Sequence, residues 1–261
     1  MSEDKKSLID LVPDSVDNAV KNITDKPTQN IGTTLADIWY LVFGGISQAA
    51  EKRKLKYSYA LQEFENELKE KISKIPEEKI IEPDIQVVAP ALEASKYCIL
   101  HKEIRKLFTN LIFSSINNNY CKYVHPSFSD IIKQMTPLDA KNMIIFSHKH
   151  YHPICNYRIF YKDTSFDDYY KNIFLSNPNE LDLTLQSVSI SSLERLGLIE
   201  INFDAKVKSY KYEPFEHTKL YLKIQSDISK NIIPKATKTE IIKGTVELTP
   251  YGELFIKSCI L

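Results

Sequence analysis

The chain is 261 residues long, 43% hydrophobic and 26% charged, enough for one large domain or two smaller ones with cores of their own. Lys and Arg total 34, as do Asp and Glu, so a net charge of zero excludes whole-molecule attraction to nucleic acid or an anionic membrane. Cys98, Cys121, Cys155 and Cys259 form no CxxC pair and read as the reduced thiols of a cytoplasmic protein rather than a disulfide framework.

Residues 1–30 are polar, carry Pro13 and Pro27, and show little periodicity beyond Leu8, Leu11 and Val12. They read as a polar arm or a loosely docked short helix, with no apolar core for a secretory signal. In "TLADIWYLVFGGISQAAEKRK" the apolar run Ile38 to Ile46 is nine residues, against the roughly twenty that span a bilayer. Trp39 and Tyr40 followed by Lys52, Arg53 and Lys54 would suit an interfacial anchor. A core helix with Gly44-Gly45 at a close contact is the preferred reading.

Residues 51–75 carry Leu61, Phe64, Leu68, Ile72 and Ile75 at three- and four-residue steps, which predicts one helix with a single apolar stripe. Glu65/Lys69, Glu67/Lys71 and Glu70/Lys74 are helix-surface pairs, and Glu63, Glu65 and Glu67 read as a solvated face rather than paired catalytic carboxylates. Pro76 stops the helix. A second long helix is expected to begin near Pro90 and end at the turn-forming Asn117-Asn118-Asn119, burying Leu92, Ile99, Ile104, Leu107, Leu111 and Ile112. Glu93, His101 and Glu103 on it form a polar patch without a partner motif. "HPSFSDIIKQM" is a short helix, and in the next one Thr136 takes the N-cap, Pro137 the first turn and Asp139 the capping-box position.

That helix runs into "FSHKHYHPIC". On a strand, His148, His150 and His152 would face one way and supply three nitrogens to zinc. No HExxH or CxxC accompanies them, and histidines at a helix C-terminus are favoured by the helix dipole alone, so a helix end is the preferred reading. Beyond it, "YRIFY" is a strand candidate and "DDYYKNIFLSNPNELDL" is mixed. "LTLQSVSISSLERLGLIEINF" is a helix closed by Gly197, then an extended run. "TVELTPYGELFIKSCIL" gives a strand, a Thr-Pro helix start and a last amphipathic helix. A helix followed by two strands is the pattern of a winged helix. Its recognition stretch, Gln186 to Arg195, is poor in side chains that read base edges. Lys206 to Lys243 holds nine lysines against four acids, interleaved with Tyr210, Tyr212 and Tyr221. It reads as a solvated hairpin before it reads as a wing tracking phosphates. GxSxG, P-loop and GxGxxG motifs are missing.

Three stretches resemble, in order, parts of the abortive infection alpha (Abi-alpha) family. "LADIWYLVFGGISQAAEKRKLKYSYALQEFENELKEKISKIPEEKIIEP" is similar to its N-terminal part. "ALEASKYCILHKEIRKLFTNLIFSSINNNYCKYVHPSFSDIIKQMTPLDAKNMIIF" resembles its central helical region. "SSLERLGLIEI" and "LTPYGELFIKSCI" resemble its C-terminal part, and the resemblance covers residues 32–261. It implies a bacterial phage-defence protein that stops or kills an infected cell before progeny are released, and it supplies no catalytic site. On matched segments His125, Pro126, Ser127, Phe128, Asp139 and Lys141 are the first candidates for a functional surface, although Pro126-Ser127 and Thr136-Pro137 also suit helix starts.

The expected fold is mainly α, α+β overall: a polar arm (1–30), an N-terminal helical domain (31–134), and a winged-helix-like C-terminal domain (135–261) with a small antiparallel β hairpin. The expected function is a cytoplasmic, non-enzymatic abortive-infection protein without a cofactor. Its binding residues would be His125, Ser127, Phe128, Asp139, Lys141, Arg195, Lys206, Lys208 and Lys211. Its partner would be a phage or host protein, with nucleic acid or a second copy of the chain as further classes and no membrane. A winged-helix transcriptional regulator is the alternative, and a metal-dependent hydrolase on His148, His150 and His152 comes last.

Overall fold

A computed structural model describes residues 29–43, 51–204 and 210–260. The protein is α+β, and its chain divides into two compact units, Met1–Gln134 with Lys257–Leu261, and Met135–Ile256. Residues 1–28 of the expected arm (1–30), Gly44-Gly45, Lys206 and Lys208 lie outside the described residues, and Gln29 and Asn30 begin the first helix. Among the described residues no helix is long and apolar enough to cross a membrane.

The described part of the first unit is helical. In α1 (Gln29–Phe43), Leu35, Trp39, Val42 and Phe43 recur at helical spacing and are buried, with Trp39 against Phe43 at 4.6 Å and Phe64 at 5.5 Å. Trp39 is therefore a core residue and not an interfacial anchor, because burying an aromatic ring stabilises by about 1.5–3 kcal/mol. Along α2 (Glu51–Ile72), Ala60, Phe64 and Leu68 are buried. Lys69 pairs with Glu65, and Lys74 with Glu70 at 2.6 Å.

The single long helix expected from Pro90 is two. The first, α3 (Ile85–Cys98), starts five residues before Pro90, where Asp84 Oδ1 accepts from the Gln86 amide at 2.9 Å. After the turn at residues 99–101 comes α4 (Lys102–Ser115), with Ile104, Leu107, Phe108, Leu111 and Ile112 buried. Ile99 is buried in that turn, so continuous hydrophobicity across the break concealed it from periodicity. α5 (Phe128–Gln134) packs on α3 and α4. The chain's last residues join this unit: Asn110 Nδ2 donates to the Cys259 carbonyl and Ser114 Oγ to the Ser258 carbonyl, both at 2.8 Å.

The second unit begins with α6 (Pro137–His148), whose capping box forms as its residues predict. Thr136 Oγ1 accepts from the Asp139 amide at 3.2 Å, and Asp139 Oδ2 accepts from the Thr136 amide at 2.7 Å. In place of a small hairpin there is a four-stranded antiparallel sheet, ordered β2-β1-β4-β3. Its strands are β1 (Tyr151–Tyr161), β2 (Phe166–Ile173), β3 (Ile199–Asn202) and β4 (Ala236–Leu248). The pair β1/β4 runs from Tyr151↔Glu247 to Tyr161↔Ala236 and is the long spine of the sheet. α7 (Leu183–Arg195) packs on α6, β2 and β3, and Gly197 follows it at φ +73°, the left-handed residue its position called for.

Between β3 and β4 the described chain forms α8 (Glu213–Glu216) and α9 (Lys219–Ser229) in place of the solvated hairpin expected there. Cys155, Tyr157 and Ile159 of β1 pack with Tyr212, Phe215, Tyr221 and Ile224 into one core. Each buried tyrosine donates its hydroxyl to a carbonyl: Tyr157 to Phe215 at 2.7 Å, Tyr212 to Gly244 at 2.7 Å, Tyr221 to Thr239 at 3.0 Å. Tyr212 and Tyr221, which seemed interleaved with a phosphate-tracking lysine run, are thus core residues whose polar tips are satisfied. The last helix, α10 (Pro250–Phe255), is capped by Thr249 and continues as a π-helical turn.

Candidate functional site

Asp139 is fully buried and lies at the wall of a recess in the second unit. Its Oδ2 is consumed by the capping box, and its Oδ1 accepts from Ser189 Oγ at 2.5 Å. Ser189 Oγ in turn accepts from Asn142 Nδ2 at 2.9 Å, which also donates to Gln186 Oε1 at 3.0 Å. Asn142 Oδ1 accepts from Asn177 Nδ2 at 2.7 Å. The chain of bonds ties α6, α7 and the segment after β2 into one clamp. Only Gln186 Nε2 within it is buried without a partner.

The clamp has a simple sequence origin. Asp139 and Asn142 on α6, and Gln186 and Ser189 on α7, are polar residues three apart, so each pair shares a helix face. The faces meet because their apolar neighbours, Met143 and Phe146 on α6 and Ile190 and Leu193 on α7, are buried as well. A buried polar group costs about 1–3 kcal/mol when left unpaired, so the amides and hydroxyls must meet each other.

Above the clamp lies a cleft of about 430 Å³ between the first turn of α6 and the exposed face of α7. Pro137, Leu138, Leu185 and Val188 give it apolar walls, and Lys141, Asn179 and Glu180 a polar rim. Leu185 is 52% exposed and Val188 62%. Ser189 is a donor to Asp139, and no imidazole or thiol lines the cleft beside it to act as its base. The cleft therefore combines apolar walls with a polar rim, over a serine whose hydroxyl proton is given to Asp139.

The expected binding residues are dispersed. Asp139 and Lys141 line the cleft, and Arg195 is exposed at the end of α7. Lys211 is exposed before α8. His125, Ser127 and Phe128 belong to the first unit, where they start α5: His125 Nδ1 lies 2.7 Å from Ser127 Oγ, and Phe128 is fully buried. Phe128 is therefore a core residue, while His125 stays at the surface.

The histidines do not assemble. His148 is the last residue of α6, His150 lies between elements, and His152 is the second residue of β1, so the cluster is a helix end only at its first member. His148 and His150 are exposed; His150 Nδ1 is 3.8 Å from Glu253 Oε1. His152 is buried edge-on against Phe146 at 5.1 Å and Phe174 at 5.6 Å, and burial holds its imidazole below the ordinary value of 6.5. Among the described residues no three His, Cys, Asp or Glu side chains are placed to hold a metal ion.

Sequence reasoning missed Asn142, Asn177, Gln186 and Ser189. The available signal was polar residues recurring at core spacing on two helices, each flanked by apolar residues that must be inside. A family model described as Abortive infection alpha matches residues 56–259, a range that begins after the "LADIWYLVFGG" stretch. No curated protein and no solved structure matches the chain.

Proposed function

The chain belongs to the abortive infection alpha family, and from that premise we propose a bacterial phage-defence protein that acts by contact rather than catalysis. Its partner, a phage or host protein in the cytoplasm, docks on the cleft between α6 and α7. The family match carries the defence role. The choice of surface is supported by the cleft itself: Leu185 and Val188 expose their side chains beside a recess, with Leu181 88% exposed just before the helix. Apolar residues grouped on one exposed helix face mark a protein contact. Contact rather than catalysis is supported by the clamp, which spends the Asp139 carboxylate and the Ser189 hydroxyl on holding two helices together.

Cells with and without the gene, challenged by a phage panel at low and high multiplicity, test the role. Protection at low multiplicity with collapse at high multiplicity is the expected result; no protection against any phage overturns it. The L185D/V188D double variant tests the surface, because both side chains are more than half exposed. It should express at the wild-type level and lose protection; undiminished protection moves the docking site elsewhere.

A second reading takes the second unit as a winged-helix reader of duplex DNA. It is supported by the order α7, β3, then β4 antiparallel to β3, although α8 and α9 fall where a wing would be. Arg195 is the single Arg or Lys of α7, which makes base-edge readout weak. This reading requires duplex affinity falling linearly with log salt, with a slope of about −0.9 for each phosphate neutralised. Affinity that stays weak and flat across salt removes it.

A further inference from the structure

In the first unit, Lys56, Tyr59 and Glu63 sit three and four residues apart on α2 and line one side of a recess of about 890 Å³. Leu100, Lys102 and Arg105, from the start of α4, line the other. The volume falls within the range of about 300–1,000 Å³ of small-molecule sites. Three cationic side chains meet in it against one carboxylate, Glu63. Lys56 and Lys102 are exposed, and neither makes an ion pair among the described residues.

Arg105 is the unusual member. Its side chain is 2% exposed, yet the guanidinium is incompletely satisfied. Nη1 donates to the Ile99 carbonyl at 3.2 Å, and Nη2 donates to Glu63 Oε2 at 2.5 Å and Glu67 Oε1 at 3.2 Å. Nε is buried without a partner. A buried N–H with no acceptor costs free energy, so Arg105 is held less completely than its burial requires. Next to it, His101 gives the N-terminus of the fourteen-residue α4 no side-chain cap, and the first turn, which also carries Glu103, has the positive end of the helix dipole on the side of Lys102. Glu63 is 43% exposed and can leave for solvent while Glu67 keeps its bond to Arg105. Two large exposed apolar side chains, Tyr59 at 65% and Leu100 at 57%, line the same recess. A planar base stacks on such a ring.

We propose that this recess binds a nucleoside phosphate. The phosphate replaces Glu63 at Arg105 and is held by Lys56 and Lys102, while the base lies on Tyr59 and Leu100. Arginine suits the exchange because its planar fork accepts carboxylate and phosphate oxygens in the same geometry. The site uses none of the cleft residues of the second unit, so it stands or falls separately from the docking surface.

Calorimetric titration of the full chain with adenosine and guanosine 5′-monophosphates tests it, with inorganic phosphate and adenosine as controls. Saturable binding of at least one monophosphate is expected, tighter than either control. The K56A/K102A variant, changed only at exposed positions, should weaken it about tenfold or more, a loss of about 1.4 kcal/mol. Tyr59→Ala should weaken the monophosphate but not inorganic phosphate, and Glu63→Gln should tighten both by removing the competing carboxylate. No saturable heat up to millimolar monophosphate, or unchanged affinity in K56A/K102A, overturns the site. Phosphate binding as tightly as the monophosphate overturns the base contact, and adenosine binding as tightly overturns the phosphate contact.

Discussion

The first unit buries a cation among carboxylates, Arg105 with Glu63 and Glu67; the second buries a carboxylate, Asp139, among neutral donors. Both solve the same problem, because an isolated charge in a protein interior is too costly to persist. The solutions differ in what they permit. The partners of Arg105 are half-buried side chains that water can solvate, so one can be traded for another anion. The partners of Asp139 are a backbone amide in a helix cap and a serine locked to Asn142, with no solvated alternative. An ion pair at a recess can exchange, whereas a neutral network under a cleft braces.

Removing the cation should give the largest effect. Arg105→Ala empties the space of a side chain 2% exposed and leaves Glu63 and Glu67 facing each other, and should cost about 2–5 kcal/mol in chemical denaturation, mostly from the cavity. A cost below about 1 kcal/mol would mean the carboxylates solvate freely and Arg105 anchors nothing. Asp139→Asn comes next, at about 1–3 kcal/mol. It keeps the shape but presents an amide N–H to a donor, either the Thr136 amide or the Ser189 hydroxyl. A double cycle with Ser189→Ala should show coupling, and strict additivity would break the picture of one clamp.

Gly252→Ala probes the second unit at a site without charge. A Cβ there would meet the Leu198 carbonyl oxygen at 1.9 Å, so α10 must move, at about 1–3 kcal/mol. The smallest effect concerns His152. Its folded pKa is lowered by burial, so below about 6.5 the unfolded chain binds a proton that the folded chain does not. Stability is therefore full above that pH and falls as pH drops toward the folded value. His152→Phe should flatten this part of the stability profile; an unchanged slope would assign it to other groups.

How much was legible depended on the reach of each interaction. Phe64 and Leu68 on α2, and Ile104, Leu107 and Leu111 on α4, are buried as their periodicity indicates. The break at residues 99–101 was hidden because Ile99 continues the apolar pattern through it. Glu67, placed beside Lys71 by helix spacing, does act on that lysine, but it is also bonded by the buried guanidinium of Arg105, 38 residues on, which spacing within one helix could not show. The lysine-rich stretch could not be placed from composition, which carries no direction: Tyr212 and Tyr221 turn inward, while its described lysines, from Lys211 to Lys243, are exposed. In the candidate site, Asp139 was visible as a cap, but the rest of the clamp was not.

The sequence by itself determined what is settled within one turn of chain. The Thr136-Pro137-Asp139 start, the Asp182 and Thr249 caps and the Gly197 stop each satisfy amides or carbonyls a few residues away. Only the tertiary structure decided which distant groups meet. Asn142 finds Gln186 44 residues on and Ser189 47 on; Arg105 reaches back 42 to Glu63; Gly252 is needed because another backbone passes there. Caps are local because the unpaired groups of a helix end lie beside the residues that cap them. Buried charges and polar groups are not, since their partners are chosen by whichever surfaces the hydrophobic faces bring together.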